Sequence, residues 1–103
     1  MVEVILVSHG TYARALLESS ELIMGEQECV YPFGFSLGEN VEDLRSRIEE
    51  KIVEIKKAHP EHEIMVLTDM KSGSPFNAAA FLMQSHSFIH IAGINLPIFL
   101  EIL

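Results

Sequence analysis

The stretch VILVSHGTYARALL, Val4–Leu17, decides how the rest of the chain is read. An unbroken apolar run ends at Ser8-His9-Gly10, and helix-compatible sequence follows at once. A run without polar alternation marks a strand covered on both faces, the usual condition in a parallel sheet. Upstream it begins at Val2 and is broken only by Glu3, which predicts a strand over Val2–Val7. Downstream, Ala13, Leu16, Leu17, Ser20 and Met24 recur at helical spacing from Thr11 onward, and Gly25 is a natural stop. A buried strand therefore delivers an imidazole, His9, to its own end.

The alternation of strand and helix continues along the chain. CVYPFGF, Cys29–Phe35, reads as a second strand, and Pro32 lacks an amide donor, which puts that strand at an edge. Asn40 suits an N-cap, and Glu42 and Asp43 suit the first turn of a helix. Val41, Leu44, Ile48, Ile52 and Ile55 then make Asn40–Lys57 amphipathic, until HPEHE closes it. Ile64–Thr68 is a third strand ending at Asp69, and MKSGS is a turn. Ser74 as N-cap and Pro75 at the first helical position open the helix PFNAAAFLMQS. Phe88–Ala92 is a fourth strand, and GINLP leads into a helix that has barely begun at Leu103.

This pattern predicts an α/β fold of one domain over residues 1–103, a parallel sheet with helices on both faces. With the Pro32 strand at an edge, the expected strand order is 2-1-3-4, a flavodoxin-like open sheet. Ligands of such sheets bind beyond the carboxyl ends of the strands where the winding reverses, here between strands one and three. His9 ends the first and Asp69 ends the third, so both should face one crevice.

Seven basic residues against fifteen acidic ones give a net charge of −8. Nucleic acid is a poor partner for such a chain, because its phosphates would be repelled. A small-molecule site or a partner with a basic face fits better. The single cysteine, Cys29, cannot form an internal disulfide, which points to a reducing cytoplasm. MVEVILV carries no basic n-region or cleavage site, so no signal peptide is expected. IHIAGINLPIFLEIL, Ile89–Leu103, is too short to span a bilayer and contains Pro97 and Glu101, so no membrane insertion is expected.

An imidazole and a carboxylate in one crevice make a general base, a metal-ligand pair or a covalent nucleophile. Helix starts near Thr11 and Ser74 offer backbone amides to an anion. Gly10 and Gly73 leave room, and the hydroxyls of Ser72 and Ser74 add donors. Asp69 accepting one ring N–H would fix the tautomer and steady a cationic phosphoimidazole. No second base, nucleotide loop or Walker pattern is present, so a phosphohistidine carrier is favoured over a hydrolase, with neither metal nor other cofactor expected. The plain structural reading is that His9 merely ends a strand and bonds locally.

The other candidates are weaker. His59 and His62 flank a turn proline and lack an evident third metal ligand, so they read as surface residues. His86 and His90 share a strand parity with Phe88 and read as satisfied polar positions. Cys29 reads as a small buried hydrophobe, Met24, Met65, Met70 and Met83 as core filling, and Asn77 as a brace for the loop before it.

Four segments carry a resemblance: VSHG at Val7–Gly10, LLESSELIMGEQE at Leu16–Glu28, TDMKSGSPFNAA at Thr68–Ala79 and AGINLP at Ala92–Pro97. Together they resemble the IIA components of the mannose–fructose–sorbose family of the bacterial sugar phosphotransferase system. The resemblance implies that His9 accepts a phosphoryl group from phospho-HPr and passes it to a IIB component during sugar uptake. It implies that Asp69 orients the imidazole and that Ser74 lies by the phosphate, which the crevice reading surrounds further with Gly10, Thr11, Ser72 and Gly73. Family members form homodimers by exchanging a strand beyond a completed last helix. The chain ends at FLEIL instead, so that helix and strand are expected to be missing. Relatives also differ at Met70-Lys71-Ser72, where Lys71 reads as a solvated loop lysine more readily than as a phosphate ligand. The alternative functions are a phosphorylatable domain of a transcriptional activator and the phosphocarrier subunit of a dihydroxyacetone kinase.

Overall fold

The computed structural model describes residues 1–103. The elements run β1 (Val2–His9), α1 (Tyr12–Met24), β2 (Val30–Phe35), α2 (Val41–Ala58), β3 (Glu63–Thr68), α3 (Ser74–Leu82), β4 (Ile89–Ala92) and α4 (Leu96–Ile102). The four strands form one parallel sheet in the order β2-β1-β3-β4, as expected from the placement of Pro32. Pro32 sits opposite Leu6 on the edge strand, where its missing donor leaves no ladder bond unmade on the free side.

Side chains alternate along β1, and that alternation sorts the core into two halves. Ile5 and Val7 pack with Leu44, Ile48 and Ile52 of α2 and with Ala78 and Leu82 of α3. Val4 and Leu6 pack on the other face with Ala13 and Leu16 of α1 and Phe99 of α4. Each fully buried aliphatic side chain contributes about 1.5–3 kcal/mol relative to leaving it in water. Asn40 caps α2 by accepting from the Asp43 amide at 2.8 Å, and Asn95 caps α4 by accepting from the Ile98 amide at 3.0 Å.

Several boundaries differ from the sequence expectation. β1 runs on to His9, because the Ser8 hydroxyl accepts from the Ala13 amide at 2.7 Å and binds the strand end to α1. Gly73, at φ +93°, is the N-cap of α3, so Ser74 is the first helical residue and makes no cap bond. β4 starts at Ile89, leaving His86 and Phe88 outside the strand whose parity they were expected to share. Cys29 precedes β2 and is half-buried, not a core residue. Met24, Met70 and Met83 are exposed, so only Met65 packs against the core as expected.

Glu3 is the outlier of the apolar run, at 1% exposure. Burial by itself would raise its carboxyl, but hydrogen bonds from His62 and Tyr31 and the nearby imidazoles outweigh that and hold it below the usual carboxylate value. Burial first, and then the Glu3 contact, push the Tyr31 hydroxyl up to about 12. Burial lowers His90, whose Nε2 lies 3.0 Å from Thr68 Oγ1, below its ordinary value of 6.5. The unfolded chain therefore takes up a proton below pH 6.5 that the folded one resists, and stability falls as the pH drops through that window. Urea midpoints should decline on acidification from pH 7, and His90→Gln should flatten the decline; an unchanged slope would show that His90 is not its source.

Gly34 has a steric duty the sequence does not advertise. A Cβ there would lie 2.3 Å from the Gly10 carbonyl oxygen, a contact that only a backbone shift relieves. The Gly10 amide also donates to Phe35 O at 2.9 Å, so the two backbones are already fastened. Gly34→Ala should destabilise the protein by about 3 kcal/mol. Urea unfolding with an unaltered m-value measures this, and a midpoint equal to wild type would refute it.

Candidate phosphoryl-transfer site

Because β1 alternates, His9 falls on the face of Ile5 and Val7, beneath the start of α3, while Ser8 turns toward α1. β1 and β3 are neighbours, and the Asp69 amide donates to Val7 O at 3.2 Å just past the last ladder pair. The crevice expected at the reversal of winding therefore holds both side chains. A single carboxylate oxygen, Asp69 Oδ2, accepts from the His9 backbone amide at 2.9 Å and lies 2.8 Å from His9 Nδ1. One group thus fixes both the main chain and the ring.

An ionised carboxylate only accepts, so this contact puts the ring proton on Nδ1 and leaves the lone pair on Nε2. The His9 side chain is 46% exposed and that of Asp69 14%. Asp69 Oδ1 is buried with no hydrogen-bond partner in the protein. A desolvated carboxylate with an unengaged oxygen is well suited to steady positive charge on the imidazole. Phe35 meets the ring edge-on, with centroids 6.4 Å apart at 86°.

Gly73 sets the clearance over the ring. A Cβ on Gly73 would lie 3.1 Å from His9 Nε2 and 3.0 Å from Cε1. The free nitrogen therefore lies against the main chain at the head of α3, where first-turn amides lack intrahelical acceptors and the helix dipole is positive. The first intrahelical bond is Asn77 N to Gly73 O at 2.9 Å, so Asn77 braces the loop through its backbone and its amide is exposed. Thr11 precedes α1 without a side-chain cap bond, and Lys71 and Ser72 are exposed on the loop after Asp69. Gly10, at φ +57°, turns the chain from β1 into α1. Arg14 and Arg47 line a cleft of about 290 Å³ that includes Gly10 and Thr11. Arg47 is engaged by Glu39 at 2.6 Å, and no ion pair involves Arg14.

Gly73→Ala adds both a strained backbone, costing about 1–2 kcal/mol at positive φ, and a methyl group against the ring. Displacing Nε2 by a fraction of an ångström should slow phosphoryl acceptance by about 10²-fold while the chain stays folded. Rapid-quench transfer assays alongside circular dichroism check this; a wild-type rate would show that the clearance is immaterial.

The remaining histidines lie elsewhere. His86 Nε2 is 2.7 Å from Glu49 Oε2, and His90 is braced by Thr68 and the Phe76 ring. His62 is half-buried against Glu3 rather than a surface residue, with His59 stacked upon it. No helix of the protein is long and apolar enough to cross a membrane.

Comparison with known proteins places this geometry in context. The family model described as PTS system fructose IIA component matches residues 3–103. The chain is 38% identical over 104 residues to the PTS system fructose-specific EIIA component of Bacillus subtilis (strain 168), covering 100% of this chain and 69% of that protein. It is 35% identical over 103 residues to the PTS system mannose-specific EIIAB component of Escherichia coli (strain K12), covering 99% of this chain and 31% of that longer protein. Among solved structures, the PTS IIA protein associated with the fucose utilization operon of Streptococcus pneumoniae superposes with a TM-score of 0.86. It is 28% identical, and the match covers 98% of this chain and 75% of that one.

Proposed function

Because the chain belongs to the family of fructose IIA components of the phosphotransferase system, we propose that His9 is the residue on which it carries its phosphoryl group. Phosphocarriage in a sugar phosphotransferase system is the role of the family. His9 takes the group from phospho-HPr and gives it to a IIB component. The observation that supports this is the contact of 2.8 Å between His9 Nδ1 and Asp69 Oδ2, which leaves Nε2 as the nucleophile on a half-exposed ring.

The step balances without any added acid or base. The Nε2 lone pair attacks phosphorus as the P–N bond to the donor imidazole breaks. The donor ring leaves neutral, and His9 becomes a phosphoimidazole whose cationic ring keeps its Nδ1 proton on Asp69. Such transfers need positioning and charge compensation more than covalent help. Asp69 supplies the orientation. Amides at the heads of α1 and α3 and the hydroxyls of Thr11, Ser72 and Ser74 meet the phosphate charge. Gly10 and Gly73 keep the approach open to a partner's imidazole. The acidic remainder of the surface suits a basic face on HPr and makes that encounter depend on salt.

Incubation with the general phosphotransferase proteins and phosphoenolpyruvate should add one acid-labile phosphate per chain, read by intact mass. Peptide mapping should place it on His9. No added phosphate, or phosphate on another residue, would overturn the assignment.

A further inference from the structure

At the end of the sheet opposite His9, three potential ligands converge. Glu3 is 1% exposed on the β1 face beneath α2, and its Oε1 accepts from the Tyr31 hydroxyl at 2.8 Å. Its other oxygen, Oε2, lies 2.6 Å from His62 Nδ1. His59, the residue that ends α2, stacks on His62 with ring centroids 4.3 Å apart at 7°. One ligand atom from each of Glu3, His59 and His62 lies within 4.8 Å of the others. Strand rise puts this cluster roughly 20 Å from His9, so it is no part of the phosphoryl-transfer site.

We infer that Glu3, His59 and His62 form a binding site for one divalent transition-metal ion of the zinc type. Two imidazole nitrogens and one carboxylate oxygen are a borderline donor set that suits zinc and not the all-oxygen preference of magnesium or calcium. Tetrahedral zinc at about 2.0–2.2 Å from each ligand sets neighbouring ligand atoms roughly 3.3 Å apart. The 2.6 Å contact must open slightly and the third group must close in, a motion available to the exposed His59. The ion takes the place of the proton now held between Glu3 and His62, and that proton goes to solvent. Tyr31 holds the carboxylate in orientation through the oxygen that faces away from His62. A cavity of about 470 Å³, lined by Lys56, Pro60, His62 and Phe88, opens beside the His62 ligand. The rival account is that Tyr31 and His62 alone satisfy the buried Glu3, as an ion pair that fastens the start of β3 to β1.

The test is calorimetric titration of the full, chelator-stripped chain with Zn²⁺. One ion per chain should bind with micromolar or tighter affinity, releasing protons, and at a hundredfold excess over Kd the melting temperature should rise on the order of 10 °C. Co²⁺ in its place should give the visible absorption of a four-coordinate site. His59→Ala, at an exposed position that does not disturb folding, should weaken Zn²⁺ binding at least ~10-fold, and His62→Ala should weaken it further. His9→Ala should leave it unchanged. Absence of stoichiometric uptake below roughly 100 μM Zn²⁺, or uptake insensitive to both imidazole variants, would overturn the site and leave the ion-pair account.

Discussion

Alanine in place of His9 should abolish phosphate incorporation, to the detection limit and at least ~10³-fold below wild type, while the fold survives. The imidazole is half-exposed, held by one carboxylate oxygen and flanked by Phe35 and the main chain at Gly73. Its loss costs about 1 kcal/mol in stability, because Oδ2 keeps its bond from the backbone amide of residue 9. Intact mass after incubation with phosphoenolpyruvate and the general proteins reads the first effect, and a thermal melt reads the second. Phosphate that persists in the variant would move the nucleophile to another residue.

Asp69 should yield the next largest effect, and the choice of substitution separates its two duties. Asp69→Asn can place its amide oxygen where Oδ2 lies, accepting from both the His9 amide and Nδ1, but it carries no negative charge. The ring then keeps its orientation and its Nδ1 proton but loses the charge that steadies a cationic phosphoimidazole. Transfer should slow by about 10²-fold or more, with the fold intact. Asp69→Ala removes both bonds and should slow transfer at least as much. Rapid-quench measurement of the phosphorylation rate decides this: a wild-type rate in Asp69→Asn would strip the carboxylate of its charge-steadying role, and one in Asp69→Ala would strip it of its orienting role.

Much of this architecture is legible because its signals are local. Apolar runs, Pro32, the Asn40 cap and the regular spacing of Leu44 through Ile55 each specify an element by short-range chemistry. Strand order then follows from few alternatives, and with it the meeting of His9 and Asp69. What escapes a linear reading is contact across many residues. Glu3 looks like a blemish in a strand until Tyr31 and His62, 28 and 59 positions away, are seen to satisfy it. Gly34 looks like an ordinary edge-strand glycine until Gly10 passes over it. The α3 boundary failed for a different reason. Serine before proline is a sound capping signal, but the left-handed turn at Gly73 takes the cap position one residue earlier. His86 shares a strand parity with Phe88 only if the strand begins three residues before Ile89, where β4 starts.

His9 and Asp69 are separated by 60 positions, joined only through the pairing of β1 with β3. Closing so long a segment is among the slower events of folding, since its entropy must be lost before any contact rewards it. A nascent chain holding only the first two strands and helices has the histidine without its carboxylate. Assembly of the site therefore waits on the pairing of β1 with β3, and it is gained or lost together with that part of the sheet.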